Sequence, residues 1–268
     1  MISTVVQCVL FLFAIYCSYV WRNRCSWQLL SQFPGPRNLP LIGSAYVFIT
    51  DGFKSSMKRN GHVEGIEQDL SGYIYAGHDT SALTLSNTLL LLAMHPDVQE
   101  RAVTEIREYY GAFDEDIQYE ALQQLAYLEM VLKESLRLFP VAPIVGRQTT
   151  QEIALGKNIL PAGVDVLFNI FSIHRNPSYW GEDADQFRPE RFATKAYDRS
   201  AYLPFSAGMR NCVGWQYGMI SMKIILIKLL TSYRLETDLT LEDFNMKFNI
   251  TMKSARGYMV RLTRRQSS

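Results

Sequence analysis

The apolar positions of this chain fall first into one unbroken run and then into a long series of helical repeats. Ile2–Trp21, ISTVVQCVLFLFAIYCSYVW, holds no charged residue. A helix over it, rising about 1.5 Å per residue, reaches about 30 Å, the thickness of a hydrocarbon core. The pattern predicts one membrane-spanning helix with Tyr16, Tyr19, Trp21 and Trp27 suited to its interface. Arg22 and Arg24 follow the run, and no A-x-A site ends it, which argues for an uncleaved anchor with a cytosolic body. From Ile66 a helical pattern continues to Met94 and stops at His95-Pro96; Asp97 is expected to cap a second amphipathic helix ending near Tyr110. A third helix is predicted over Ala126–Phe139, with Leu125, Leu128, Leu132, Leu136 and Phe139 on one face. Glu152–Phe171 reads as short strands broken at Gly156-Lys157 and Pro161-Ala162-Gly163, and Trp180–Leu203 as loop. A helix follows Cys212 to about Tyr233, and Phe244–Leu262 alternates like a β-hairpin turning near Ser254–Gly257. The expected fold class is mainly α with small β-sheets, behind one N-terminal transmembrane helix.

Composition sharpens the boundaries and removes some functions. With 268 residues, 48 % of them hydrophobic, the chain is long enough to bury a substantial core. A net charge of +1 gives no reason to expect nucleic acid. Phe33–Gly43, FPGPRNLPLIG, carries three prolines and two glycines and reads as a stiff link between membrane and body. The organisation expected is an anchor at 1–21, a basic and proline-rich linker at 22–43, a seam without clear periodicity at 44–65, and a C-terminal body at 66–268.

Four cysteines, Cys8, Cys17, Cys25 and Cys212, form no CxxC pair, so a zinc knuckle, an iron–sulfur cluster and a disulfide scaffold are all poor fits. Cys212 stands apart in FSAGMRNCVG, Phe205–Gly214. A cysteine just ahead of a helix faces free N–H groups and the positive end of the helix dipole, which favour an anionic sulfur able to act as metal ligand or nucleophile. Flanking glycines permit a tight turn and close approach to a flat ligand. The histidines (His62, His78, His95, His174) come with no triad signature, so a thiolate ligand to haem iron fits better than a nucleophile.

Phe205, Gly208, Arg210, Cys212 and Gly214 match the FxxGxRxCxG loop of the cytochrome P-450 family, and the resemblance continues in order along the chain. AGHDTS (Ala76–Ser81) resembles the family's oxygen-activation motif, ESLR (Glu134–Arg137) its ExxR motif, FRPERF (Phe187–Phe192) its PERF motif, and Phe33–Gly43 its proline-rich hinge. The details are similar to insect microsomal members near the fatty-acid-hydroxylase clan. The resemblance implies haem b (iron-protoporphyrin IX), bound non-covalently with Cys212 as thiolate ligand, since Ala76 stands where some relatives carry a glutamate that esterifies haem. It implies Arg210 and Arg147 as partners of the propionates, a guanidinium being suited to a carboxylate. It implies a proton relay through Thr80 and Asp79, with Ala76 and Gly77 leaving room for oxygen. Glu134 and Arg137, three apart on a helix, share a face that also carries leucines; if buried they need further partners, and Arg191 is the one the resemblance implies. That network is expected to be scaffold. Met209 replaces a common proline of the loop.

The resemblance covers about Phe33–Gly43 and Ile66–Leu262, joined by Ser44–Gly65. Family members are roughly twice this length. No tryptophan here has an arginine four positions later, so the family's WxxxR motif is absent, and with it the segments that roof the substrate pocket. The expected fold is therefore an incomplete cytochrome P-450 fold lacking central helices, as an incomplete gene model, splice variant or decaying gene would give. Two functions follow as expectations. One is a haem-thiolate monooxygenase that inserts one atom of O₂ into an apolar organic substrate (fatty acid, hormone or xenobiotic). Its electrons come from NADPH through cytochrome P-450 reductase and cytochrome b5, at the endoplasmic reticulum membrane. The alternative is a non-catalytic membrane protein with weak or no haem binding.

Overall fold

A computed structural model of the chain describes residues 63–110, 117–194, 197–248 and 251–265. It divides into two units, Met1–Ala76 and Gly77–Ser268. The membrane anchor expected at 1–21, the linker at 22–43 and the seam at 44–65 as far as residue 62 lie outside the described residues; residues 63–65 of the seam begin the first helix. Among the described residues no helix is long and apolar enough to cross a membrane.

Helix α1 spans Val63–Met94 and takes in the end of the first unit. In the second unit α2 covers Pro96–Tyr109, α3 Tyr119–Gln124 and α4 Ala126–Leu138. Helix α2 starts at His95-Pro96 because proline's fixed φ and missing N–H suit the first helical position. No side chain caps it. His95 occupies the cap position; Asp97, expected as the cap, lies two residues further in, where its charge faces the dipole's positive end. The predicted apolar stripe of α4 is fully inside: Leu125, Leu128, Leu132, Leu136 and Phe139 are all buried.

Strand β1 (Ile144–Gln148) pairs antiparallel with β4 (Asp165–Asn169), and β2 (Ile153–Leu155) with β3 (Asn158–Leu160). Short helices α5 (Ile170–Ile173) and α6 (Pro177–Trp180) follow, then a loop-rich stretch with single 3₁₀ turns, one of them Pro189–Phe192. Helix α7 runs Trp215–Ser232 and passes directly into β5 (Tyr233–Glu236). Strands β6 (Met246–Phe248) and β7 (Met252–Ser254) form a hairpin, and β8 (Arg261–Arg264) pairs with β5. The turn expected near Ser254–Gly257 is therefore misplaced. Alternation along 244–262 is shared by two different ladders, and Gly257, at φ +81°, sits in the connection between them.

The main core gathers α2, α4, α7 and the end of α1 around Leu91, Ile106, Leu128, Leu132, Leu226 and Leu230. A second apolar cluster of Trp180, Ala184, Phe192 and Ala201, with Tyr197 and Tyr202 packed on it, underlies the loop that leads to Cys212.

Candidate functional site

The Cys212 loop is held by its own backbone. The Cys212 N–H donates to the Phe205 carbonyl at 2.9 Å, closing a loop whose reversal falls at Ser206 (φ +61°) and Gly208 (φ +78°). Gly214 is the N-cap of α7, so Cys212 lies two residues outside the helix, and it is exposed. Phe205 is half-buried. Arg147, on β1, reaches across to the loop: its guanidinium donates to Ser206 Oγ at 3.1 Å and to the Arg210 carbonyl at 3.4 Å, and also to its neighbour's carbonyl at Gly146. The structure thus brings Arg147, Arg210 and Cys212 to one place, and adds Ser206, which no spacing in the sequence marks.

That surface is apolar as well as open. Met209 is fully exposed and Val213 85 % exposed beside the cysteine, and Phe168 on β4, on the same sheet face as Arg147, is exposed as well. One thiol, bare apolar surface and two guanidinium-bearing residues fit a flat apolar macrocycle with a metal centre and an anionic edge. The donor set suits a group that brings its own equatorial ligands. Among the described residues no three His, Cys, Asp or Glu side chains stand together as a metal cage.

The oxygen-motif residues lie on α1. Ala76 and Gly77 are exposed, and a Cβ added at Gly77 would meet nothing within 4 Å. Asp79 and Thr80 are half-buried. Asp79 Oδ2 accepts a hydrogen bond from Thr251 Oγ1 at 3.0 Å, a partner 172 residues away that sequence offers no means of finding.

The Glu134–Arg137–Arg191 network is present and dry. Arg137 grips Glu134 with two parallel bonds, Nε to Oε2 at 2.7 Å and Nη2 to Oε1 at 2.8 Å, and both side chains are fully buried. Its remaining protons go to the carbonyls of His174 (2.8 Å), Ala184 (2.6 Å) and Gln186 (3.2 Å). Glu134 Oε1 also accepts from Arg191 Nε at 3.1 Å and from the Arg188 amide at 2.9 Å. Arg191 is completed by the Trp180 carbonyl (2.9 Å), Asp183 Oδ1 (2.7 Å) and the Asp183 carbonyl. The Arg191 bond holds the Asp183 carboxyl below its ordinary pKa. A buried pair is tolerated when its geometry is good and its other hydrogen-bonding capacity is filled, and both conditions are met. The expected partnership of Glu134, Arg137 and Arg191 is thus in contact, and it reaches the 174–191 segment mainly through that segment's backbone.

The sequence motifs do not include His174, which is fully buried between Arg137 and Leu203. Its only sequence signal was a histidine ahead of Asn176-Pro177, a helix-starting pair.

Comparison with known proteins places these features in a family. Residues 34–261 match the family model described as cytochrome P-450. The chain is 39 % identical over 196 residues to probable cytochrome P-450 313a4 of Drosophila melanogaster, covering 71 % of this chain and 40 % of that relative. It is 36 % identical over 205 residues to cytochrome P-450 4p1 of the same organism, covering 75 % and 40 %, and 35 % identical over 208 residues to cytochrome P-450 4g15, covering 75 % and 36 %. The chain thus spans about 40 % of the length of these curated relatives. The family match extends across the Cys212 loop, the buried ExxR pair and the small sheets alike, and the chain belongs to the cytochrome P-450 family, with that family's mainly helical fold and small β-sheets.

Proposed function

We propose that the chain is the haem-binding portion of a membrane-anchored haem-thiolate monooxygenase. The observation that carries this reading is the exposed Cys212 on a loop fixed by its own backbone and braced by Arg147. Cys212 would hold the iron of a non-covalently bound haem b through its sulfur, with the exposed apolar side chains of Val213 and Phe168 available to its flat face. Arg147 and Arg210 would pair with the propionates, and Arg147, already donating to a hydroxyl and two carbonyls, would exchange such bonds for a carboxylate. When bound, a thiolate-ligated haem supplies reductive activation of O₂, the thiolate favouring O–O cleavage.

The chain's own residues then bind and move protons. Asp79 takes a proton at a carboxylate oxygen, the Thr251 hydroxyl orients that carboxylate, and Thr80, one residue on, passes the proton to the site. Gly77, three residues before Thr80 on α1, leaves open space where a Cβ would stand. The substrate class is an apolar organic molecule, and the electrons come from NADPH through cytochrome P-450 reductase, with cytochrome b5 as a second donor. The uncharged run Ile2–Trp21 supports single-pass anchoring in the endoplasmic reticulum with the body in the cytosol.

The reduced, CO-bound absorption spectrum of the expressed 268-residue chain after haem reconstitution tests the reading. A red-shifted thiolate Soret band is expected, and Cys212→Ser should abolish it while leaving the far-ultraviolet circular dichroism unchanged. A chain that folds but takes up no haem overturns the proposal.

A further inference from the structure

His174 is fully buried, and both of its ring nitrogens are engaged. The Leu203 amide donates to Nε2 at 2.7 Å, and Nδ1 lies 3.1 Å from the Arg137 carbonyl. An N–H donates only to a lone pair, so Nε2 is bare; a carbonyl only accepts, so Nδ1 carries the proton. The two contacts fix one neutral tautomer. The ring also stacks on Tyr202 at 5.5 Å between centroids, and the Tyr202 hydroxyl donates to the Lys133 carbonyl at 3.0 Å. Arg137 returns the bond by donating Nη1 to the His174 carbonyl at 2.8 Å. Leu203 is followed by Pro204 and Phe205, and the Phe205 carbonyl receives the Cys212 amide. Hydrogen bonds therefore lead from the buried ion pair through the imidazole to the start of the cysteine loop.

We propose that His174 is a positioning residue for the Cys212 loop: its Nδ1-protonated neutral ring fastens the Leu203 amide, where the loop begins, to the Arg137 carbonyl in the ion-pair core. A protonated ring would turn a second N–H against the Leu203 N–H, two donors facing each other, and release the loop. The charged groups around it are arranged to oppose that. Arg137 and its partner Glu134 face it from α4; Arg175, paired with Asp185, follows α5; Arg191, paired with Asp183 and Glu134, closes the network from the Pro189–Phe192 turn. Burial lowers the His174 pKa to about 4 against the bond to the Arg137 carbonyl, and the Arg137 and Arg175 guanidiniums add to the lowering. The proposal rests on Cys212 being the iron ligand for its meaning. Its test is made on the haem-free chain, so the two fail separately.

Amide hydrogen exchange in the wild type, His174→Phe and His174→Gln compares the three chains. His174→Phe keeps the bulk and removes both bonds, whereas His174→Gln retains an acceptor for Leu203. His174→Phe should speed exchange at Leu203 and Cys212 at least tenfold, with the amides of α4 and α7 unchanged, and His174→Gln should restore most of the protection. Equal protection at Cys212 in all three, or acceleration spread evenly over α4 and α7, overturns the proposal. The imidazole ¹⁵N shifts of wild-type His174 give a second measurement that needs no variant. A bare, hydrogen-bonded Nε2 and a protonated Nδ1 from pH 8 to pH 6 are expected, and the opposite tautomer or a charged ring in that range overturns it equally.

Discussion

Two residues set the terms of this structure, Arg137 and His174, and both are buried polar groups whose partners are specific atoms. Arg137 uses two bonds for a carboxylate and the rest for carbonyls, all without access to water. Arg137→Ala would leave Glu134 charged in a dry site, and a loss of about 3–5 kcal/mol is expected from urea unfolding. Arg137→Lys should lose much of the same, because an ammonium cannot reproduce a planar two-pronged grip. His174 makes a prediction about pH. Its pKa falls from 6.5 in the unfolded chain to about 4 in the folded one, so the unfolded state takes up a proton across that window that the folded state refuses. The stability contributed is fully present above pH 6.5, declines as pH falls toward 4, and is constant below that, a total of roughly 3 kcal/mol. Denaturant midpoints measured from pH 7 to pH 4 should show this slope in the wild type and a shallower one in His174→Gln.

At the scale of elements, the joints depend on side chains that serve backbone groups. Gln99 on α2 donates to the Leu235 carbonyl at 2.9 Å and accepts from the Leu235 amide at 2.9 Å, and its Nε2 also bonds the Leu92 carbonyl at 3.0 Å. One side chain thus joins α1, α2 and β5. Gln99→Ala would strand both polar groups of a buried residue, and a cost of about 2–4 kcal/mol is expected in thermal or denaturant unfolding. In the cysteine loop, Gly208 lies at φ +78° with open space where a Cβ would go. Gly208→Ala should therefore cost about 1–2 kcal/mol from backbone strain alone, read as a lowered melting temperature with the core undisturbed. Periodicity made the helices and the cores of α1, α2 and α4 legible, because a 3.6-residue stripe and Pro or Gly stops are local signals. Strand β1 and the pairing of β8 with β5 were not legible: a five-residue strand has no period of its own, and pairing is chosen by distant partners. The same distinction runs through the site. Cys212, Glu134, Arg137 and Arg191 were found through their motifs, whereas Ser206, His174 and Thr251 became visible only when the fold brought them to Arg147, Leu203 and Asp79.

Within Gly77–Ser268 a closed core stands beside exposed apolar side chains. The main core is closed by α2, α4 and α7, yet Leu167, Phe168, Met209, Val213 and Tyr217 are exposed on the β1–β4 hairpin and around the Cys212 loop. Apolar side chains left uncovered favour association. The haem-free body is therefore expected to self-associate and to bind a hydrophobic dye. In sedimentation velocity, haem or mild detergent should shift it toward monomer, and added salt should not. The ion-pair network carries a different consequence, for which positions can be substituted. Apart from Asp183, every acceptor that Arg137 and Arg191 use beyond Glu134 is a main-chain carbonyl, at Trp180, Asp183, Ala184, Gln186 and His174. Any amino acid supplies a carbonyl, so at Ala184 and Gln186 the network reads the path of the chain and not the side chain. The three side chains that read the path have no such freedom. Substitutions at Ala184 and Gln186 that keep that path should leave the grip on Glu134 intact, whereas a change at Glu134, Arg137 or Arg191 removes part of it.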